Sequence, residues 1–97
     1  MGAENHVKSS YELTSSAIVH TGSCVLWSVL AITDGTNAAT VIIYDNTEAT
    51  GNKLAEFVVP GASQYGGRNW IMPVGAKIGL YAAISGTGAS CIVEYDT

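Results

Sequence analysis

SCVLWSVLAITDGTNAATVIIYDN, from Ser23 to Asn46, consists of two apolar runs separated by the four residues Asp34-Gly35-Thr36-Asn37. β-Branched and aromatic residues are frequent in both runs, which favours strands over a buried helix. Glycine supplies a positive φ in tight turns, and Asp and Asn side chains bond to the local backbone. The stretch therefore predicts the central hairpin of an all-β domain.

The first of these runs is apolar on both faces of the predicted strand. One set of alternate positions holds Cys24, Leu26 and Leu30, and the other holds Trp27 and Val29. A strand with one face in solvent is apolar at one set of alternate positions only. We therefore expect both faces to be covered, one by the core and the other by a subunit contact.

Short strands joined by turns account for the rest of the chain. Strands are predicted within 11–21 and at 53–59, 70–73, 76–84 and 90–95, with turns at 46–52 and 85–89. In the strand 76–84 the alternate set that should face the core is Ile78, Leu80, Ala82 and Ile84. Residues 1–10 are predicted to be a flexible arm and residues 60–69 a structureless loop. The pattern predicts one domain at 11–97, a single β-sandwich or jelly roll of about 7–8 antiparallel strands.

The composition of the chain indicates a protein that associates with other copies. The chain has 97 residues, of which 47% are hydrophobic and only 12% are charged. A typical soluble domain is about 25% charged, and a surface with few charges is poorly protected against association. We therefore expect a homo-oligomer.

The charge excludes nucleic acid as a partner. The net charge is −4, and the four cations, Lys8, Lys53, Arg68 and Lys77, are scattered along the chain. Nucleic-acid binding depends on clustered Lys and Arg. No apolar run reaches the roughly 18 residues of a membrane span, and the N-terminus lacks the apolar core of a signal peptide. We expect synthesis in the cytoplasm.

Catalytic and metal sites are not predicted. The two histidines, His6 and His20, lie near no nucleophile motif, so we expect no enzyme activity and no cofactor. Cys24 and Cys91 lack the spacing of a zinc site, and no calcium-binding loop is present. The two cysteines form a disulfide if their strands are neighbours, whereas the lack of a secretion signal favours reduced, buried thiols.

One aromatic cluster is the candidate partner interface. Tyr65, Arg68 and Trp70 lie in and beside the predicted loop, and aromatic residues and arginine are enriched at interface hot spots. Trp27 and Tyr44 join them if the second face of the hairpin is a contact. Two alternatives remain: the loop aromatics fold back over the core, or they stack on a sugar, as in a lectin-like carbohydrate-binding module.

About two-thirds of the chain, from the long strand onward, resembles small structural proteins of tailed bacteriophages. The residues that carry this resemblance are Tyr44-Asp45, Gly51, Leu54, Gly79-Leu80-Tyr81, Ser85 to Ala89, and Tyr95. The resemblance implies a β-sandwich or jelly-roll module of the virion, often a capsid decoration or cement protein and frequently trimeric. The N-terminal stretch MGAENHVKSSYEL departs from it, which leaves a tail or fibre component as the alternative to the capsid.

Overall fold

The computed structural model describes residues 7–97, except for the side chains of residues 68–72. The described residues form eight strands and one short 3₁₀ turn, Gly61–Ser63. The strands are β1 (Lys8–Ser9), β2 (Ala17–Thr21), β3 (Cys24–Ile32), β4 (Ala39–Asp45), β5 (Asn52–Val59), β6 (Tyr65–Ala76), β7 (Gly79–Ser85) and β8 (Ser90–Asp96).

The strands pair as one long hairpin that is rolled up. β4 pairs with β5, β3 with β6, β2 with β7 and β1 with β8, all antiparallel. Further pairing of β3 with β8 and of β4 with β7 creates sheet A, ordered β1-β8-β3-β6, and sheet B, ordered β2-β7-β4-β5. Two four-stranded sheets connected in this way form a jelly roll, which confirms the predicted fold class.

The predicted central hairpin is wrong, because β3 and β4 belong to different sheets. The turn Asp34-Gly35-Thr36-Asn37 carries the chain from sheet A to sheet B, and the turn at 85–89 carries it back. The hairpin that β4 does form is with β5, through a turn in which Asn46 Nδ2 donates to the Thr50 carbonyl at 2.8 Å. Turn residues specify a reversal, but they do not specify whether the chain returns in its own sheet or crosses about 10 Å to the facing one.

At Trp27, β3 changes which of its two faces is buried. Cys24 and Leu26 are buried before this residue, and Val29 and Ala31 are buried after it. The buried positions therefore switch from one set of alternate residues to the other. Both sets are apolar because each supplies half of the core contact of β3. Val29 is 2% exposed, so no subunit contact is needed to explain why this position is apolar.

A β-bulge causes this switch. On β8 the consecutive residues Tyr95 and Glu94 pair with Leu26 and Ser28, so Trp27 is an extra residue on β3. An extra residue inverts the alternation of side chains beyond it.

Side chains from both sheets fill the core. The largest that are fully buried are Leu26, Ile43, Leu80, Val41, Val93 and Cys91. Each aliphatic side chain buried in this way contributes about 1.5–3 kcal/mol of transfer free energy. The strand predicted at 76–84 begins later, at Gly79, and Ile78 lies in the preceding bend, 53% exposed, instead of in the core.

The predicted loop at 60–69 is mostly regular structure. Gly61–Ser63 is a 3₁₀ turn, and β6 begins at Tyr65 and continues for 12 residues, which absorbs the short strand predicted at 70–73. Pro73 lies within β6 because that strand forms an edge of sheet A, where one side of the backbone needs no partner.

The predicted arm at 1–10 is too long. Lys8 and Ser9 form β1 and pair with Tyr95 and Glu94 of β8, so the boundary predicted at residue 11 falls beyond the first strand. The remainder of the arm, residues 1–6, lies outside the described residues. The stretch 11–21, which suits one edge strand or two short ones, contains one strand, β2, at the edge of sheet B.

At one end of the sandwich, Asp34 organises the turn between β3 and β4. Its carboxylate accepts from the backbone N–H groups of Thr36 at 2.9 Å and Asn37 at 2.7 Å. These bonds, chiefly the one from Asn37, lower the pKa of Asp34. Gly88 of the β7–β8 turn lies against it with a φ of +72°, and a Cβ there would stand 2.6 Å from the Asp34 Cβ.

At the other end, Asp45 fastens the β6–β7 turn to β4. Its Oδ1 accepts from the backbone N–H groups of Ile78 at 2.8 Å, Lys77 at 3.0 Å and Gly79 at 3.3 Å. The bond from Ile78 contributes most to lowering the pKa of the Asp45 carboxyl. One side chain therefore holds three consecutive N–H groups of a turn between the two sheets.

The two cysteines are free and buried, so the alternative of a disulfide is wrong. Cys24 begins β3, and Cys91 pairs with Ala31 near the other end of that strand. A rise of about 3.3 Å per residue separates their Cα atoms by about 20 Å, whereas a disulfide spans at most about 7 Å.

We expect Asp45→Asn to lower the free energy of unfolding by about 1–3 kcal/mol at neutral pH, because it removes a charged acceptor. Since the pKa of Asp45 is lowered in the fold, the ionised carboxylate stabilises the protein above its ordinary pKa of about 3.9. That stabilisation is lost as the pH falls through the folded-state value. Urea denaturation at neutral and acidic pH should show a smaller loss on acidification in Asp45→Asn than in the native protein.

Asp96→Asn is the matched control, because that carboxylate accepts only from the neighbouring Thr97 N–H among the bonds of the described residues. Equal acid sensitivity in the native protein and in Asp45→Asn contradicts the role given to Asp45.

Neither thiol should react with Ellman's reagent in the folded protein near neutral pH. Burial raises the pKa of Cys91 to about 11, and burial followed by the charge of Asp45 raises that of Cys24. The thiolate is the reactive form, so both groups should react only after unfolding. A melting temperature that falls on addition of reductant would show a bridge and would contradict the free thiols.

Candidate binding surfaces

The predicted interface residues lie on two opposite surfaces. Tyr65 begins β6 in sheet A and is 66% exposed, and Trp27 lies partly buried at the bulge of the same sheet. Tyr44 belongs to β4 in sheet B and faces away from the core. The side chains of Arg68 and Trp70 lie outside the described residues. The structure therefore does not gather the described members of the predicted interface into one patch.

A cleft opens on the outer face of sheet A, beside Tyr65. It has a volume of about 560 Å³, within the range of small-ligand sites. We call it the sheet A cleft. Its lining consists of Ser28, Val29, Leu30, Tyr65, Gly66, Gly67, Ile92 and Glu94.

The floor of the sheet A cleft is a direct consequence of the bulge at Trp27. Beyond the bulge, Leu30 faces outwards and is 39% exposed, although it shares its alternate positions with the buried Leu26. In the register, Leu30 pairs with Ile92 on one side and with Gly67 on the other. Paired residues in a sheet share a face, so Ile92 and Leu30 form an apolar floor that continues to a glycine.

A carboxylate borders this floor at the end away from Tyr65. Ser28 pairs with Glu94, and its Oγ donates to Glu94 Oε1 at 2.6 Å. The bond fixes the carboxylate over the sheet. The other oxygen, Oε2, accepts no hydrogen bond from the residues that the structure describes in full.

Gly67 allows β6 to approach β3 closely. A Cβ at this position would stand 2.0 Å from the carbonyl oxygen of Val29, which is too close for any side chain. Gly75 of the same strand has no atom within 4 Å of a corresponding Cβ. Glycine at 67 therefore both keeps the strands paired and leaves the cleft open.

The outer face of sheet B is nearly uncharged. We call it face B; its residues on the two central strands are paired as Tyr44 with Tyr81, Ile42 with Ala83 and Thr40 with Ser85. The flanking strands add Ile18, opposite Tyr81, and Val58, opposite Thr40. Ile18 is 51% exposed and Val58 is 67% exposed. Tyr81 and Ala83 agree with the sequence pattern, which placed them opposite the core set.

Charge on face B is confined to its border. Lys53 and Glu56 lie on the edge strand β5, opposite Tyr44 and Ile42, and their side chains form an ion pair at 3.2 Å. An exposed pair of this kind contributes little to stability. Charged residues on an edge strand also oppose aggregation through that edge. Sheet B is therefore open to association through its face and not through the edge at β5.

The remaining titratable groups do not converge. His20 packs against Tyr95 with ring centroids 5.6 Å apart, which places it in the packing between strands. Within residues 7–97 no three His, Cys, Asp or Glu side chains are placed to share a metal ion. No helix in that part of the chain is long and apolar enough to cross a membrane.

The residues that sequence reasoning missed are Leu30, Ile92, Glu94, Ile18 and Val58. Leu30 belongs to one of the two apolar sets of alternate positions in β3. Nothing in the sequence marks the bulge that turns its side chain outwards. Glu94 and Ser28 are 66 positions apart, and only the register of β3 and β8 brings them together. Comparison with known protein families, with curated proteins and with solved structures found no match.

We expect Gly67→Ala to lower the free energy of unfolding by about 1–3 kcal/mol, because the methyl group must push β6 away from β3. Gly75→Ala is the control in the same strand and should be neutral or slightly stabilising, since its methyl group meets open space. Urea denaturation of both variants measures the difference. Equal effects would contradict the close approach at Gly67.

Proposed function

We propose that this chain is a non-enzymatic structural protein that associates with copies of itself and acts as a decoration or cement subunit of a phage particle. The observation that carries the proposal is face B, a sheet face whose exposed residues are apolar or neutral except for the ion pair of Lys53 and Glu56 on its edge strand. A decoration subunit of this kind adds buried area across the joints of a shell.

The apolar surface of face B supplies a driving force for association. Ile18 and Val58 retain half or more of their exposure in the single chain, and covering each contributes about 1 kcal/mol. Tyr44 and Tyr81 add large, rigid contact areas, and tyrosine is enriched at interface hot spots. The aromatic pair lies on the two central strands of sheet B.

Charge favours a copy of the same chain as the partner. The one cation described at the border of face B, Lys53, is paired with Glu56, and the protein as a whole has a net charge of −4. An uncharged face is complementary to another uncharged face. Only 12% of the residues are charged, so the chain is poorly protected against association with its own copies. Most homo-oligomers are closed and symmetric, and the resemblance to phage structural proteins is the reason to favour a trimer.

The role in a virion rests on the resemblance to phage structural proteins. The residues that carry it perform structural tasks: Asp45 holds the β6–β7 turn, and Gly51, Gly86 and Gly88 have positive φ angles in turns. These residues account for a shared fold, and a fold by itself does not specify an activity. Jelly rolls are frequent in viral particles, which supports the virion role, but lectins share the architecture.

Replacing apolar residues of face B by lysine should abolish self-association. We expect sedimentation equilibrium to show an oligomer for the native chain and a monomer for the double variant Ile18→Lys/Val58→Lys, because desolvated lysines oppose contact. Ile78→Lys is the matched control, since Ile78 is 53% exposed but lies in the bend before β7. A monomeric native chain, or a double variant that still associates, contradicts the proposal.

The virion role has its own test. Mass spectrometry of particles purified from the host that carries the gene should detect this chain, and particles from which the gene is deleted should open at a lower temperature. Particles that lack the chain would contradict the virion role and leave the self-association of face B to be judged by sedimentation.

A further inference from the structure

We propose that the sheet A cleft binds a neutral oligosaccharide. The chemistry of its lining is divided along its length, with an exposed aromatic ring at one end, an apolar floor in the middle and a fixed carboxylate at the other end. Sugar rings have apolar faces and hydroxyl donors around their edges. These features match the aromatic, apolar and carboxylate surfaces that follow one another along the cleft.

The aromatic and carboxylate ends have separate tasks. Tyr65 is 66% exposed and presents a rigid, amphipathic ring on which the apolar face of a sugar can lie. Glu94 is held by Ser28 through Oε1 and keeps Oε2 free of bonds from the fully described residues. An ionised carboxylate accepts short, strong hydrogen bonds from hydroxyl groups.

The length of the cleft favours a chain of sugars over a single small ligand. Tyr65 pairs with Ile32 and Glu94 pairs with Ser28, so the two ends are four residues apart along β3 and lie on either side of it. Strand geometry separates their Cα atoms by roughly 16 Å. A single cation or sugar ring is small compared with this separation, whereas a trisaccharide is long enough to span it.

The lining disfavours anionic ligands. Among the lining residues that the structure describes, Glu94 is the one with a charged side chain, and the whole chain has a net charge of −4. Phosphorylated or sulfated ligands would be repelled by both. The ligand class that remains is neutral and rich in hydroxyl groups.

The floor also disfavours a peptide main chain. Extended peptides bind by adding a strand to an exposed sheet edge, where backbone groups lack partners. β3 and β8 are interior strands of sheet A, and each pairs with a neighbour on both sides. A peptide lying across this floor would leave its own N–H and C=O groups unpaired, and a sugar carries no such groups along its ring faces.

The test is isothermal titration calorimetry of the full chain with cellotriose, maltotriose and chitotriose, after a glycan array has ranked the neutral glycans. We expect saturable binding to at least one neutral glycan. Tyr65→Ala should weaken it about tenfold or more by removing the aromatic platform, and Tyr65→Phe should keep most of it. Glu94→Gln should weaken it about three- to tenfold.

Two variants serve as matched controls. Tyr11→Ala removes a tyrosine that is 79% exposed but outside the cleft lining, and Glu56→Gln removes a carboxylate on the opposite sheet. Both should bind as the native chain does, and thermal melts should show that every variant is folded. A heparin hexasaccharide and an array of neutral hexapeptides should not bind at the cleft.

The proposal is overturned if no neutral glycan binds, if Tyr65→Ala binds as tightly as the native chain, or if the heparin or peptide probe competes more strongly than any neutral glycan. These outcomes are independent of the proposed self-association. Tyr65→Ala and Glu94→Gln leave face B intact, and Tyr65→Ala should sediment as the native chain does.

Discussion

The bulge at Trp27 is the constraint on which the rest of the structure depends. One extra residue in β3 moves the buried positions from Cys24 and Leu26 to Val29 and Ala31, so a strand that is apolar throughout fills the core along its full length. The same inversion turns Leu30 outwards, where it becomes the floor of the sheet A cleft. Packing of the core and the shape of the outer surface are therefore consequences of a single backbone irregularity.

The rolled-up topology requires the chain to cross repeatedly between the sheets, and two aspartates stabilise those crossings. Asp34 closes the β3–β4 turn with bonds from Thr36 and Asn37, and Asp45 holds three N–H groups of the β6–β7 turn. With both ends fixed, the two sheets present different outer surfaces. Sheet A has a cleft with a carboxylate, and sheet B has a flat, nearly uncharged face.

Much of the fold could be predicted from the sequence, because alternation and turn residues depend on local chemistry. The strands on either side of Asp34-Gly35-Thr36-Asn37 are present, but the hairpin is not, since a turn does not record which sheet the chain enters next. The loop predicted at 60–69 contains three glycines and a proline, which are also compatible with an edge strand. Tyr65 could be identified as exposed, whereas Glu94 could not be linked to Ser28, because only the register joins strands so distant in sequence.

We propose different tasks for the two outer surfaces, with face B used for self-association. Hydroxyl-radical footprinting at concentrations above and below dissociation of the oligomer tests this proposal in one experiment. If face B forms the contact, Tyr44 and Tyr81 should lose reactivity on association, while Tyr65 and Tyr11 keep theirs. Protection of Tyr65 with Tyr44 and Tyr81 unchanged would contradict it, and so would the same reactivity of all four tyrosines at both concentrations.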